Sequence, residues 1–397
     1  ARTLGVRRLR FIDEPVAASL GYGLGLSKEQ VVLVIDFGAG TLDLALVALS
    51  ARGTEQGRAE VIAKEGLDVG GNVVDGWLLA ELSRSLGYPL TPTRDTDTDE
   101  DLFWRRVMLA EARRVKEALF FKPWTIFHYT PPAHLRREAL PGSDEPPWLE
   151  ITRDRLEHVL EEHDLRGILE RILDAVLEHA RAVDIDENDI DEVLMIGGST
   201  LLPGVYPFFE QRFGRDRVRA WQPFEAVVYG ACALAAESFS HSDHIVHDYA
   251  FVTYDPQSHA RQYTVIVPRG TTFPTPRDFW RGRLVPTCAL GEPETLFKLL
   301  VCEIGQAGGD GRRFMWDSRG TLHRLDAGDS EPEPIVVPLN EHNPTLGTLD
   351  PPHSPRDRSP RLEVCFSVSS DRWLCSTVID LKTKRTLLDQ ARVVRLL

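Results

Sequence analysis

Over the first 240 residues, short β-branched runs alternate with stretches whose apolar residues recur at helical spacing; beyond them helical periodicity almost disappears. Val31 to Phe37 is a nearly unbroken apolar run and reads as a buried strand, with Leu42 to Leu49 as its neighbour. The four residues between them predict an antiparallel hairpin, and Ala59 to Glu65 a third strand. Helices are expected at Asn72 to Leu86 and Glu100 to Phe121, and strands at 124–129 and 147–151 around a Pro-rich loop. Thr152 is placed to cap a helix through His163, and Leu165 to Val183 repeats Leu and Ile at helical spacing. Val193 to Ile196 reads as a strand running into Gly197-Gly198-Ser199-Thr200, and Pro223 suits the first turn of a last helix. After a boundary at Ser238 to Asp248, strands are expected near 249–254, 261–267, 295–304, 361–368 and 373–380. Gln306 to Pro360, rich in Gly, Pro and Asp, reads as a long loop or insertion. The pattern is an α/β domain over 1–240, a linker at 241–248 and a β-rich domain over 249–397.

Composition narrows the class. The 397 residues are 42% hydrophobic and 27% charged, which suits two or three folded domains and excludes disorder as the main state. The longest helix-like apolar stretch, Glu225 to Ala236, falls short of the roughly 18 residues that span a bilayer, so no membrane association is expected. With 60 acids against 46 bases the net charge is -14, which repels a phosphate backbone and argues against nucleic acid as a partner. Five cysteines without a C-x-x-C pair indicate neither a disulfide framework nor a zinc knuckle, and a reducing, cytoplasmic compartment fits best. The chain opens at Ala1 without a secretory or transit pattern and reads as a processed chain or a fragment.

Candidate chemistry gathers at two strand ends. Asp36 closes a buried strand and is followed by Gly38, Ala39, Gly40 and Thr41. Such a turn leaves backbone N–H groups free to converge on an anion, and Thr41 adds a hydroxyl. Asp36 would face the same space and hold a magnesium ion through water. The plain alternative is a tight hairpin with a solvated Asp. Gly197, Gly198 and Ser199 repeat the theme at a second strand end, where close backbone approach and capping by Ser199 or Thr200 suit a nucleoside; an ordinary strand-to-helix turn is the alternative. Gly70 and Gly71 precede the helix at Asn72 in the same manner.

The order of these turns carries a resemblance. The segments LRFIDEPVAASLGYGL, VLVIDFGAGTLDLALV, VGGNVVD, EARRVKEAL, ITRDRLE, IDEVLMIGGSTLLPGV and PFEAVVYGACALAA lie in one continuous register over residues 1 to about 240. Together they resemble the second lobe of the Hsp70 (DnaK-type) chaperone ATPase domain, of the actin-like superfamily. YTVIVPRGTTFPT and RLEVCFSVSSDRWLCSTVIDLKTKR look like strands of that family's β-sandwich peptide-binding domain. The resemblance implies ATP or ADP with Mg2+ as cofactors. It places Asp36 near the metal and phosphates, Gly38, Ala39, Gly40 and Thr41 in a phosphate loop, and Glu14 beside the metal-bound water. Gly197, Gly198 and Ser199 fall on the adenosine-contacting turn, and Gly71 and Lys116 near the nucleoside. Unfolded or extended peptide segments, a J-domain co-chaperone and a nucleotide exchange factor are the implied partners.

The departures matter as much. Leu201 and Glu117 stand where the family carries arginines that stack on adenine, and Phe224 where an aspartate is usual, so cation–π support for the base is lost. Ala39 replaces a glycine and requires a negative φ. The family's first lobe, with its other phosphate loop and the lysine needed for hydrolysis, precedes the region matched by Ala1. Charge-assisted contacts are worth about 1.5 to 3 kcal/mol each, so losing three takes a micromolar site to millimolar or worse. The chain by itself is therefore expected neither to hydrolyse ATP nor to bind it tightly.

Other candidates are weaker. His241, His244 and His247 have a spacing that could gather a metal on a helix, but a solvated linker is the better reading. Asp95, Asp97 and Asp99 suggest a calcium loop, yet Glu100 and Arg106 occupy the places of its glycine and last glutamate. Arg7, Arg8 and Arg10 read as surface charge, and the free cysteines as core residues. Substrate loops of the resembled sandwich map near Phe251 to Tyr263, with Tyr254 and Tyr263 as walls of a peptide site or as sandwich core. The expected function is that of an Hsp70-like chaperone portion, acting in protein folding and stress response; the alternative is a nucleotide-inactive binding or scaffold protein. A sugar kinase or actin-like filament protein is disfavoured by the β-rich second part.

Overall fold

The computed structural model describes residues 11–24, 29–86, 99–129, 148–236, 245, 247–255, 258, 260–288, 292–305, 314–325 and 334–397. The chain divides into two compact units, Ala1–Phe239 with Gly320–Arg324, and Ser240–Arg319 with Leu325–Leu397.

In the first unit α1 (Glu14–Gly21) precedes the hairpin β1 (Gln30–Phe37) and β2 (Leu42–Leu49), and α2 (Ala51–Glu55) leads into β3 (Glu60–Leu67). There follow α3 (Gly71–Leu86), α4 (Asp99–Leu119), the two-stranded ribbon β4 (Trp124–His128) and β5 (Trp148–Thr152), α5 (Arg153–Glu162), α6 (Leu165–Arg181), β6 (Glu192–Ile196), α7 (Val205–Phe213), β7 (Val218–Arg219) and α8 (Ala226–Ala235). The main sheet has the order β3-β2-β1-β6-β7. β1 and β2 pair antiparallel without a break from Gln30↔Leu49 to Phe37↔Leu42, whereas β6 runs parallel to β1. Parallel pairing carries the C-terminal ends of β1 and β6 to one rim of the sheet, Asp36 opposite Ile196. That rim is where open α/β sheets take their ligands. Val32 to Ile35 and Val193 to Met195 are buried without alternation, as a sheet covered on both faces requires.

Helix packing follows from the sequence period. α6 buries Leu165, Leu169, Ile172, Leu173, Val176, Leu177 and Ala180 as one stripe, and Asp164, held at φ 52°, caps it by accepting from the Gly167 N–H at 3.2 Å. Thr152 caps α5 as expected, its side chain accepting from the Arg155 N–H at 3.3 Å. α1 and α8 lie so close that a Cβ on Gly230 would stand 1.8 Å from the Ala17 carbonyl oxygen. Only glycine permits that approach.

Three local expectations change. Pro223 precedes α8 rather than opening it: the helix begins at Ala226, and the Pro223 carbonyl instead accepts the Gly197 N–H at 2.9 Å. Gly197 leads into a short 3-10 turn, Gly198–Leu201, with α7 starting only after Gly204. The Ser199 and Thr200 hydroxyls donate to the carbonyls of Gly38 and Gly197 instead of capping a helix.

The second unit is a sandwich of two four-stranded antiparallel sheets. One has the order β15-β12-β8-β9, from β8 (Asp248–Tyr254), β9 (Arg261–Val267), β12 (Val301–Gly305) and β15 (Ile335–Pro338). The other has the order β10-β17-β18-β19, from β10 (Trp280–Leu284), β17 (Leu362–Val368), β18 (Trp373–Asp380) and β19 (Arg385–Arg395). Inward side chains of both sheets form one core, with Phe251 and Phe366 at 5.5 Å between ring centroids. The single strand expected at 295–304 is two, β11 (Glu294–Leu299) and β12, because Asn340 accepts from the Val301 N–H and donates to the Leu299 carbonyl, both at 2.9 Å, at the break. The expected long loop at 306–360 is also corrected: its described residues carry β13 (Phe314–Trp316), β14 (Leu322–Arg324), β15 and β16 (Thr345–His353). Within these strands, Pro338 sits at the end of β15, and Pro351 and Pro352 lie in β16, a strand of a two-stranded sheet, where a missing N–H is tolerated.

Arg361 and Asp380 form a bidentate pair inside this unit at 2.7 and 2.8 Å, and Asp380 also accepts from the Lys382 N–H at 2.8 Å. Burial alone would raise this carboxyl, but those donors outweigh it and hold Asp380 down to about 2. A depressed carboxylate stabilises the fold above its unfolded pKa of about 4 and ceases to do so as pH falls through about 2. Acid titration of unfolding should show the second unit losing stability between about pH 4 and 2, and Asp380→Asn should abolish that dependence.

Candidate functional site

Three turns far apart in sequence meet at the shared rim of β1 and β6. The Gly38 carbonyl accepts from the Gly71 N–H at 3.1 Å and from the Ser199 hydroxyl at 2.8 Å, while the Ala39 carbonyl accepts from the Asn72 N–H at 2.8 Å. Glycine is required at the crossings. A Cβ on Gly197, whose φ is 86°, would lie 2.4 Å from the Phe37 carbonyl oxygen, and one on Gly70 2.4 Å from that of Ala39. Gly71 is hemmed by Ser199 Oγ and Lys116 Nζ, at 2.8 and 3.1 Å from where its Cβ would be. Lys116, buried on α4, donates to the Gly71 carbonyl at 2.9 Å and lies 2.7 Å from Asp75 Oδ1, an ion pair not aligned as a hydrogen bond. Arg113 Nε donates to the other Asp75 oxygen at 3.1 Å.

The loop itself is left open. Ala39, Gly40 and Thr41 are exposed, and among the described residues their N–H groups meet no acceptor. A Cβ at Gly40 would touch nothing within 4 Å, so the fold does not need glycine there, and Ala39 avoids positive φ as it must. Beside this cradle sits negative charge. Asp36 faces Asp43 directly across the hairpin, and Gly66, opposite Asp43, leaves its carboxylate room: a Cβ there would be 2.7 Å from Oδ1. Half-burial first, then the charges of Glu14 and Asp43, push Asp36 up to about 6, with Lys64 opposing. Glu14 itself is exposed at the start of α1.

The donor set fits a phosphate group on the free N–H groups and a hydrated divalent cation against the carboxylates. Among the described residues no group of three His, Cys, Asp or Glu side chains is placed to hold a metal ion directly. Asp43 and Lys64 escaped the sequence reading, although a four-residue hairpin turn necessarily sets Asp43 opposite Asp36.

Phe224 lies over the second turn: a Cβ on Gly198 would be 2.8 Å from its ring. Leu201 is buried and Glu117 exposed. Tyr254 and Tyr263 are far from this rim in sequence and sit on β8 and β9 of the second unit, exposed by 38% and 41%, so they do not fill the sandwich core. His247 is not solvated as expected: it is buried, 3.4 Å from the buried Glu303. His241, His244, Asp95, Asp97, Arg7, Arg8 and Arg10 lie outside the described residues, as does the side chain of Asp99. Of the cysteines expected in the core, Cys302, Cys365 and Cys375 are buried, Cys288 is half-buried and Cys232 is exposed. No helix among the described residues is long and apolar enough to cross a membrane.

The family model described as Hsp70 protein matches residues 1–281, and the chain belongs to the Hsp70 family. Among curated relatives it is 30% identical to a Chaperone protein HscA homolog of Shewanella denitrificans, over 70% of this chain and 40% of that protein. It is 26% identical to the Chaperone protein DnaK of Endomicrobium trichonymphae over 95% of this chain and 56% of that one. Identity to the DnaK of Thermus thermophilus is 28% over 69% of this chain and 42% of that protein. The chain thus spans about half the length of the curated relatives it matches.

The raised Asp36 carboxyl gives a signed prediction. Its contribution to stability is full below the unfolded value of about 4 and is lost as pH rises through about 6. Asp36→Asn should therefore raise the unfolding midpoint at about pH 7.5 and leave it unchanged near pH 4, with a midpoint near 6 for Asp36 in a carboxyl NMR titration.

Proposed function

We propose that the first unit is the second lobe of an actin-like, Hsp70-type ATPase domain, and that its rim site binds the phosphates of ATP or ADP with Mg2+. The observation that carries this reading is the open loop Ala39–Thr41, whose free N–H groups stand beside half-buried Asp36. Gly38, Ala39, Gly40 and Thr41 would cradle phosphate, Asp36 would hold the hydrated metal, and Glu14 would orient one of its waters. Bound Mg2+ would neutralise phosphate charge that the carboxylates otherwise repel. Gly197, Gly198 and Ser199 would support the nucleoside, with Gly71 and Lys116 beneath it. Lys116 already holds Asp75 and the Gly71 carbonyl, so its role is to fix the turn rather than to bind phosphate.

With the β-sandwich, this makes the chain the nucleotide-coupled portion of a chaperone that takes and releases unfolded peptide segments in the cytoplasm. Tyr254 and Tyr263 are candidate walls of the peptide site, and a J-domain co-chaperone and a nucleotide exchange factor are candidate partners. Hydrolysis belongs to the intact ATPase domain, and the separate chain binds nucleotide weakly. A second reading, a nucleotide-inactive binding or scaffold protein, is favoured by the Phe224 ring over Gly198, where a base would rest.

Calorimetry separates the two. Mg-ADP should bind with a Kd on the order of millimolar, more tightly than ADP alone. Gly40→Val should keep the unfolding midpoint, because open space surrounds that position, yet weaken Mg-ADP by about tenfold or more. Low-micromolar affinity would contradict weak binding; no binding of either nucleotide form would favour the second reading.

A further inference from the structure

At the glycine turns of the rim the polar side chains already make their hydrogen bonds within the fold. The Ser199 hydroxyl donates to the Gly38 carbonyl at 2.8 Å, and the Thr200 hydroxyl to the Gly197 carbonyl at 2.7 Å. Lys116 is buried against Asp75 and the Gly71 carbonyl, and Asn72 accepts from Arg113, which also donates to Asp75. Leu201 is buried and apolar.

Phe224 differs from all of these. It lies just before α8, is 47% exposed, and holds its ring against the turn: a Cβ on Gly198 would stand 2.8 Å from one ring carbon and 3.5 Å from the next. The backbone fixes that placement, since the Gly197 N–H donates at 2.9 Å to the carbonyl of Pro223, the residue before Phe224. An aromatic ring is thus anchored beside a turn whose polar side chains serve the fold, with nearly half of the residue open to solvent.

We propose that Phe224 is the specificity-determining residue of the rim site: its ring stacks on the base, and the site takes purine nucleoside diphosphates without distinguishing adenine from guanine. This rests on the nucleotide reading above and goes beyond it. The base lies on the ring rather than on Gly198, so the ring receives it instead of barring it. Every base has a π-face, so stacking tolerates base identity. Strong discrimination arises where a site's polar groups must pair with one ligand's hydrogen-bonding groups, and an apolar surface cannot strongly reject a ligand that differs only in such groups. Adenine and guanine differ in their exocyclic groups and ring N–H, which a stacked ring does not read.

NMR titrations with Mg-ADP, Mg-GDP and Mg-pyrophosphate test this. The two nucleotides should bind within about threefold of each other and about tenfold more tightly than Mg-pyrophosphate, with their base protons shifted upfield by the ring current. Phe224→Leu should weaken both nucleotides by about tenfold, abolish the upfield shift and leave Mg-pyrophosphate unchanged, whereas Phe224→Trp should retain both binding and shift. Melting midpoints verify that both variants fold. A preference of about tenfold or more for either purine would overturn the proposal while leaving the phosphate site intact. So would nucleotide affinities unmoved by Phe224→Leu, or tighter binding in that variant, which would mean that the ring covers the place of the base. Failure of all three ligands to bind would overturn the nucleotide reading beneath it as well.

Discussion

The candidate site depends on one carbonyl. Gly38 O accepts from the first backbone N–H of α3 and from a hydroxyl of the turn after β6, and so ties together chain segments 33 and 161 residues away. Each bond contributes only about 1 kcal/mol net. Their structural effect is larger, because they can form only where Gly70, Gly71 and Gly197 let three backbones approach within the space of a missing Cβ. The parallel pairing of β1 and β6 supplies the rest by delivering both turns to the same rim.

Around that knot the electrostatics conflict. A cradle of free N–H groups favours an anion, while Asp36, Asp43 and Glu14 beside it favour a cation, and burial makes the Asp36 charge costly. The polyphosphate with its divalent metal proposed above would satisfy both at once. Lys116 does not resolve the conflict, since its charge is spent on Asp75 within the fold. On that proposal the site is complementary to a pair of opposite charges rather than to either alone.

Much of this was legible in the sequence. Buried strands announce themselves by unbroken runs such as Val31 to Phe37, the α6 stripe by its period, and the Thr152 cap by its place before a helical pattern. The glycine turns were visible as punctuation, but which acceptor each would meet was not, because Ser199 and Gly38 are neighbours only after β1 and β6 pair. Sequence reading failed where tertiary context overrides local composition. The stretch from 306 to 360 looked like loop because its short strands lack long alternating runs and are crowded by Pro and Gly, yet sheet pairing recruits them. His247 looked solvated because it falls in the junction between the two parts, and only the fold supplies Glu303. Leu300 gave no sign of a strand break, which an asparagine 40 residues later enforces.

The most direct measurement is amide NMR of the labelled chain during a Mg-ADP titration. Convergence of the three turns on a nucleotide predicts that the largest shifts fall on Ala39, Gly40, Thr41, Gly198 and Ser199 together, with one apparent Kd. Shifts confined to one of these turns, or clustered in the second unit while the Ala39–Thr41 amides stay still, would contradict it.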